Sequence, residues 1–176
     1  MNLKKDYKNK RVLVDIDGVI CEYDFPKIVK HFFGVDLSKY MLYAYNLADV
    51  LGVAPLAINT MFKEQVWGKP SFVPNAIKTL RQIGSFYRII IFSNRMKYMG
   101  KEGLMDWLID WGIPFDVIGD GIGEFDFHID DSPAKLMTSN SKVKLLFDQP
   151  WNKGCLNITN QLKRVKDWEE IKKELL

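Results

Sequence analysis

Short apolar runs alternate along most of this chain with longer stretches whose apolar residues recur every three or four positions. The runs at 11–16, 86–92, 115–118, 125–129 and 143–147 are rich in β-branched and aromatic residues, so each predicts a buried strand. Residues 74–84 predict a helix, with Pro74 in its first turn and Gly84 at its end. Leu104, Trp107, Leu108 and Trp111 mark the buried face of a second helix that stops at Gly112. Ser132-Pro133 supplies the N-cap and first-turn residues of a third, and the spacing of Asp167 to Glu170 fits a capping box at the start of a fourth. Strands separated by helices of this length imply βαβ units, so the expected fold is α/β: a doubly wound parallel sheet with helices on both faces.

The stretch 22–69 interrupts this rhythm, being helical in flavour and rich in aromatics. Residues 54–65 read as one of its helices, and Gly68-Lys69-Pro70 as the turn that returns the chain. The expected organisation is a core from 1–21 and 70–176, with a small helical cap, 22–69, inserted after the first strand. A length of 176 residues suits one such domain. Composition mainly excludes classes: 47% hydrophobic and 27% charged residues fit neither a disordered nor a membrane-embedded chain. A net charge of +3 is too mild to argue for a nucleic-acid surface. The apolar runs are strand-sized and the polar residues 1–11 form no signal-peptide core, so a cytoplasmic protein without a membrane partner is expected. Cys21 and Cys155 lie far apart and read as ordinary thiols.

In such a sheet ligands gather beyond the carboxyl ends of the strands, which singles out Asp15, Asp17, Ser93 and Asp130. In VLVDIDGVI, two aspartates flank one residue at the end of an apolar run. If the extended geometry persists, both carboxylates face one cleft, where they suit a hard divalent cation and can divide the roles of nucleophile and general acid/base. Taken alone, the same motif is also an ordinary turn rich in turn formers. FHIDDSP brings Asp130 and Asp131 together before a helix, an arrangement that repels itself unless a cation or donors offset it. IIIFSNR ends a strand in a hydroxyl, an amide and a guanidinium, so Ser93, Asn94 and Arg95 can hold phosphate oxygens. His128 reads as a packed strand residue, and His31 as part of the cap.

The order of these motifs resembles the haloacid dehalogenase-like phosphatases, with DIDGV at 15–19, FSN around Ser93 and IDD at 129–131. Within them, DIDGVICEYD followed by IDDSP and then LFDQPWN is similar to the 5'(3')-deoxyribonucleotidase branch. The resemblance implies that Asp15 attacks phosphorus to form an aspartyl-phosphate, while Asp17 protonates the leaving oxygen and then activates water. It also implies Mg²⁺ held by the Asp15 carboxylate, the Asp17 main-chain carbonyl and Asp130, with Asp131 supporting that shell and Ser93 binding a phosphate oxygen. Tyr23 falls where the branch carries an aromatic that stacks on a base.

Two departures stand out. The lysine that neutralises the transferring phosphoryl would fall near Asp120, where there is none; Arg95, Lys97, Lys101 and Lys135 are the cations that can replace it. Ser132 stands where the branch commonly has an arginine. The implied activity is that of a Mg²⁺-dependent phosphomonoesterase acting on a small phosphorylated substrate, a nucleoside monophosphate first. A polynucleotide 3'-phosphatase, a sugar-phosphate phosphatase and a nucleotide-binding protein without turnover are the alternatives. Oligomeric state is left open, a homodimer included.

Overall fold

The computed structural model describes residues 9–22, 24–37, 47–65, 68–155 and 162–176. The chain runs through β1 (Arg11–Val14), β2 (Cys21–Glu22), α1 (Phe25–Phe33), α2 (Leu47–Leu51), α3 (Pro55–Gln65) and β3 (Ser71–Phe72). It continues with α4 (Ala76–Ile83), β4 (Arg88–Ile91), α5 (Met96–Asp110), β5 (Val117–Ile118) and β6 (Glu124–Asp130). It ends with α6 (Pro133–Thr138), β7 (Asn140–Phe147), a 3-10 turn at Pro150–Asn152, β8 (Leu162–Val165) and α7 (Trp168–Leu175). The expected doubly wound parallel sheet is present, with six strands in the order β5-β4-β1-β6-β7-β8.

Alternating side chains of each strand serve opposite faces, and both faces are buried at the centre of the sheet, which is why β1 and β4 read as unbroken apolar runs after their first residue. Val12, Val14, Ile89, Ile91, Leu145 and Phe147 join Leu80 and Ile83 of α4, Leu104 and Leu108 of α5, and Trp168 and Ile171 of α7 in the main core. On the other face Leu146 packs with Leu136 of α6, while Leu13, Ile90 and Phe125 form a smaller cluster. Each fully buried aliphatic side chain of this kind contributes roughly 1.5–3 kcal/mol.

Chain order reverses at β1: β4 and β5 extend the sheet to one side, then the chain crosses to β6 on the other. That crossing has no helix. Residues 119–123 lie flat on the sheet, where Gly121 takes a φ of 78° and a Cβ on it would come within 3.1 Å of the Phe92 ring.

Between β2 and β3, which pair as a two-stranded antiparallel ribbon, helices α1 to α3 form a separate apolar cluster of Val29, Leu37, Leu47, Ala48, Ile58 and Met61. Asp24 caps α1 by accepting a hydrogen bond from the Lys27 N–H, and Gly34 ends it at a φ of 67°.

Several boundaries differ from expectation. β1 stops at Val14 because Ile16 to Cys21 fold into a turn in which Ile20 N–H and Cys21 N–H both donate to the Ile16 carbonyl. Pro74 precedes Asn75, the residue before α4, and so lies outside that helix. β8 was not foreseen.

Candidate active site

Asp15 follows β1 and Asp130 ends β6, and these two strands are adjacent where the order reverses. The Asp15 N–H donates to the Ile129 carbonyl at 3.0 Å, continuing the ladder one residue past the strand and drawing the two carboxylates together. One oxygen each from Asp15, Asp130 and Asp131 lies within 4.8 Å of the others, and all three residues are buried.

Each carboxylate is held differently. Asp15 Oδ1 accepts from the Ile16 N–H at 2.9 Å, and Asp15 Oδ2 lies 2.6 Å from Lys135 Nζ. Asp130 Oδ1 accepts from the Ser132 N–H at 2.8 Å, whereas Asp130 Oδ2 is fully buried without a hydrogen bond, 3.4 Å from Lys135 Nζ. Asp131 Oδ2 accepts from Trp151 Nε1 at 2.7 Å. Gly18 lies so close that any Cβ on it would overlap Asp131 Oδ2, and its φ of 80° excludes ordinary residues as well.

Lys135 reaches the cluster because Ser132 caps α6, its hydroxyl accepting from the Lys135 N–H at 3.4 Å, which sets the ammonium beside Asp15 and over the Phe92 ring. Of the four candidate cations, Lys97 and Lys101 are exposed on α5 and Arg95 is turned to Asp17, so Lys135 is the one at the acidic cluster.

Three carboxylates in one dry pocket cannot all ionise cheaply. Burial first, then repulsion from Asp130, pushes the Asp15 pKa well above the usual carboxylate range despite Lys135. Burial and Asp130 push Asp131 up to about 8, against the opposing Trp151 hydrogen bond. A divalent cation would relieve that repulsion. The donor set is all hard oxygen, and Asp130 Oδ2 is buried without a hydrogen bond, so Asp15, Asp130 and Asp131 fit Mg²⁺.

Asp17 stands apart. Its carboxylate is outside the three-residue cluster and faces Arg95, with Nε at 2.9 Å and Nη2 at 2.9 Å. The shared face expected for Asp15 and Asp17 requires an extended strand, and the chain has already turned at Ile16. Arg95 is 2% exposed and stacks on Trp107, its Cζ 4.0 Å from the ring centroid. Ser93 is buried at the end of β4, its hydroxyl accepting from the Arg95 N–H at 3.2 Å, while Asn94 is exposed. Tyr23 lies outside the described residues.

Two neighbours had no role assigned from sequence. His128 is 1% exposed, with Nε2 3.3 Å from Asp130 Oδ2, and its place two residues before Asp130 on the same face of a strand was the available signal. The turn after β7 supplies Trp151 to Asp131 and a Gln149 Nε2 donor to the Gly18 carbonyl at 2.8 Å.

No family model matches this chain, and no curated protein matches it. Solved structures do. A haloacid dehalogenase-like family hydrolase from Streptococcus pneumoniae superposes with a TM-score of 0.66 at 13% identity, covering 95% of this chain and 98% of its own. A candidate beta-phosphoglucomutase from Thermotoga maritima gives 0.52 at 14% identity, covering 95% and 100%. An L-2-haloacid dehalogenase gives 0.53 at 11% identity, covering 95% and 99%. The fold is thus a Rossmann-like α/β fold of the haloacid dehalogenase type. No helix among the described residues is long and apolar enough to cross a membrane.

Proposed function

We propose that this chain is a Mg²⁺-dependent phosphomonoesterase that hydrolyses a small phosphorylated substrate, a nucleoside monophosphate by preference, through an aspartyl-phosphate on Asp15. The observation that carries this reading is the meeting of Asp15, Asp130, Asp131 and Lys135 at the carboxyl ends of β1 and β6. The similar structures include proteins named for dehalogenation and for phosphoglucomutation, so the fold alone leaves the chemistry open and the site must decide.

In this reading Asp15, the Asp17 main-chain carbonyl and Asp130 hold Mg²⁺, with Asp131 behind them. When bound, the ion screens the charge of the phosphate oxygens and of the carboxylates. An Asp15 oxygen attacks phosphorus as the bond to the leaving oxygen breaks, and the Asp17 carboxyl gives its proton to that oxygen. Asp17 then takes a proton from water, which attacks phosphorus, frees phosphate and restores Asp15. Arg95 orients Asp17, Ser93 and Asn94 bind phosphate oxygens, and Lys135 compensates the charge that builds on the phosphoryl group. The absence of a lysine near Asp120 was the reason to consider a binding protein without turnover, and the ammonium of Lys135, 2.6 Å from Asp15 Oδ2, supports turnover instead. The segment 22–69 acts as the cap and Tyr23 stacks on the base; the protein works in the cytoplasm.

The test is phosphate release with Mg²⁺ from a panel of nucleoside monophosphates, sugar phosphates and 3'-phosphorylated oligonucleotides. Asp15→Asn is expected to lose activity by at least ~1,000-fold, as removal of a nucleophile does. Undiminished turnover in that variant would refute the mechanism.

A further inference from the structure

We infer that the turn Gln149–Asn152 transmits the position of helices α1 to α3 to the acidic cluster, with Trp151 as the positioning residue for Asp131. This rests on the metal-dependent reading above.

Two contacts of the indole join the helices to the acidic cluster. Its Nε1–H donates to Asp131 Oδ2 at 2.7 Å, and its ring meets Phe25 edge-on, with centroids 5.4 Å apart and planes at 88°. Phe25 is the first residue of α1 and in turn meets Phe62 of α3 edge-on at 6.2 Å. A contiguous path therefore runs from α3 through α1 and Trp151 to a carboxylate of the metal cluster.

The backbone beneath the indole is fixed to the core. Asn152 Nδ2 donates to the Asp131 and Phe147 carbonyls, each at 2.8 Å. Arg164 donates through Nη1 to Asn152 Oδ1 at 2.7 Å, and through Nη2 to the Asn152 carbonyl at 3.0 Å and the Cys155 carbonyl at 2.6 Å. With the turn clamped, the indole's remaining freedom is rotation about its side-chain torsions, and Phe25 is the contact of α1 that limits it. The other tryptophan with a core hydrogen bond, Trp168, donates to a main-chain carbonyl, that of Val19, as a packing residue does. Trp151 instead donates to an ionisable oxygen of the acidic cluster. Displacing α1 moves the ring edge, and with it the donor that holds Asp131 Oδ2 in the acidic cluster.

The test uses Trp151→Phe, which keeps a ring against Phe25 and removes the N–H, Phe25→Leu, which keeps apolar bulk and removes the aromatic edge, and the double variant. Mg²⁺ binding is read by titration calorimetry on the full chain, beside kcat and KM. Trp151→Phe is expected to weaken Mg²⁺ about 10–100-fold, the usual cost of losing a partner behind the ligands. Phe25→Leu is expected to weaken Mg²⁺ about 3–10-fold, and the double variant to be no worse than Trp151→Phe, because the two act through one hydrogen bond. Mg²⁺ affinity within twofold of wild type in Trp151→Phe, or effects of the two variants that multiply independently, would overturn the inference while leaving the metal reading intact. A wild-type protein that binds no Mg²⁺ would overturn both.

Discussion

Lys135 is the one lysine or arginine among the described residues that forms an ion pair with both Asp15 and Asp130. Lys135→Met should lower kcat by about 100–1,000-fold with little change in fold, comparable to removing one donor from a charge-stabilising site; single-turnover kinetics would show it, and a fall below threefold would count against the assignment. The same cluster sets a pH signature. Asp131, with its pKa pushed up to about 8 by burial and Asp130, binds a proton more tightly folded than unfolded. Its favourable contribution is therefore complete below the ordinary carboxylate range of about 4 and is lost as pH rises through about 8, and Asp15 follows the same sign. Mg²⁺ cancels this loss, so the rise in thermal midpoint on adding Mg²⁺ should be larger near about pH 8.5 than near about pH 6. A rise of the same size at both would contradict the arrangement. At this scale the sequence was legible where an acid follows an apolar run, as at Asp15 and Asp130. Asp17's partner was not, because pairing with Arg95 joins positions 78 residues apart across a turn that breaks the strand's alternation.

Among the elements, the most informative is the one without a helix. In a parallel sheet a crossover is usually covered by a helix, yet residues 119–123 pass from β5 to β6 as a glycine-rich loop pressed on Ile90 and Phe92. No helix stands there, and the cation beside Asp15 comes from α6 instead. Gly121→Ala should cost about 1–3 kcal/mol in denaturant unfolding, since φ is 78° and the new Cβ meets the Phe92 ring at 3.1 Å. Its effect on kcat should be small if the loop only closes the sheet. An unchanged unfolding midpoint would mean the loop can lift off the sheet. The strands that sit in apolar runs, β1, β4, β6 and β7, were readable from the pattern, whereas β8 was not: LKRV is four residues with two charges, at the sheet edge, and only Leu162 and Val165 are buried. The ribbon of β2 and β3 is two residues a side, below what any periodicity can reveal.

Over the whole molecule, apolar burial is uneven. The sheet core draws on β1, β4, β6, β7, α4, α5 and α7, while α1 to α3 share a small cluster around Val29, Ile58 and Met61 and touch the core side through Trp151 and through the Tyr98–Asn59 hydrogen bond. The interruption of the strand rhythm at 22–69 was visible in the sequence, but how that segment contacts the core was not, since its links reach Tyr98, which donates to Asn59 of α3 at 3.1 Å, and Trp151, more than eighty residues further on. Opening free energy scales with the apolar surface a unit buries, so α1 to α3 should open without the sheet. Native-state hydrogen exchange should therefore show the amides of α1 and α3 exchanging through an opening at least ~2 kcal/mol below that of β1, β4 and β6. Adding Mg²⁺ with an unreactive phosphate mimic should slow the α1 amides selectively, because ligands that span the site stabilise the closed arrangement of the helices against it. Equal protection in α1 and β1, with or without Mg²⁺, would mean that the helices and sheet unfold as one unit and that closure over the acidic cluster is not a separate motion.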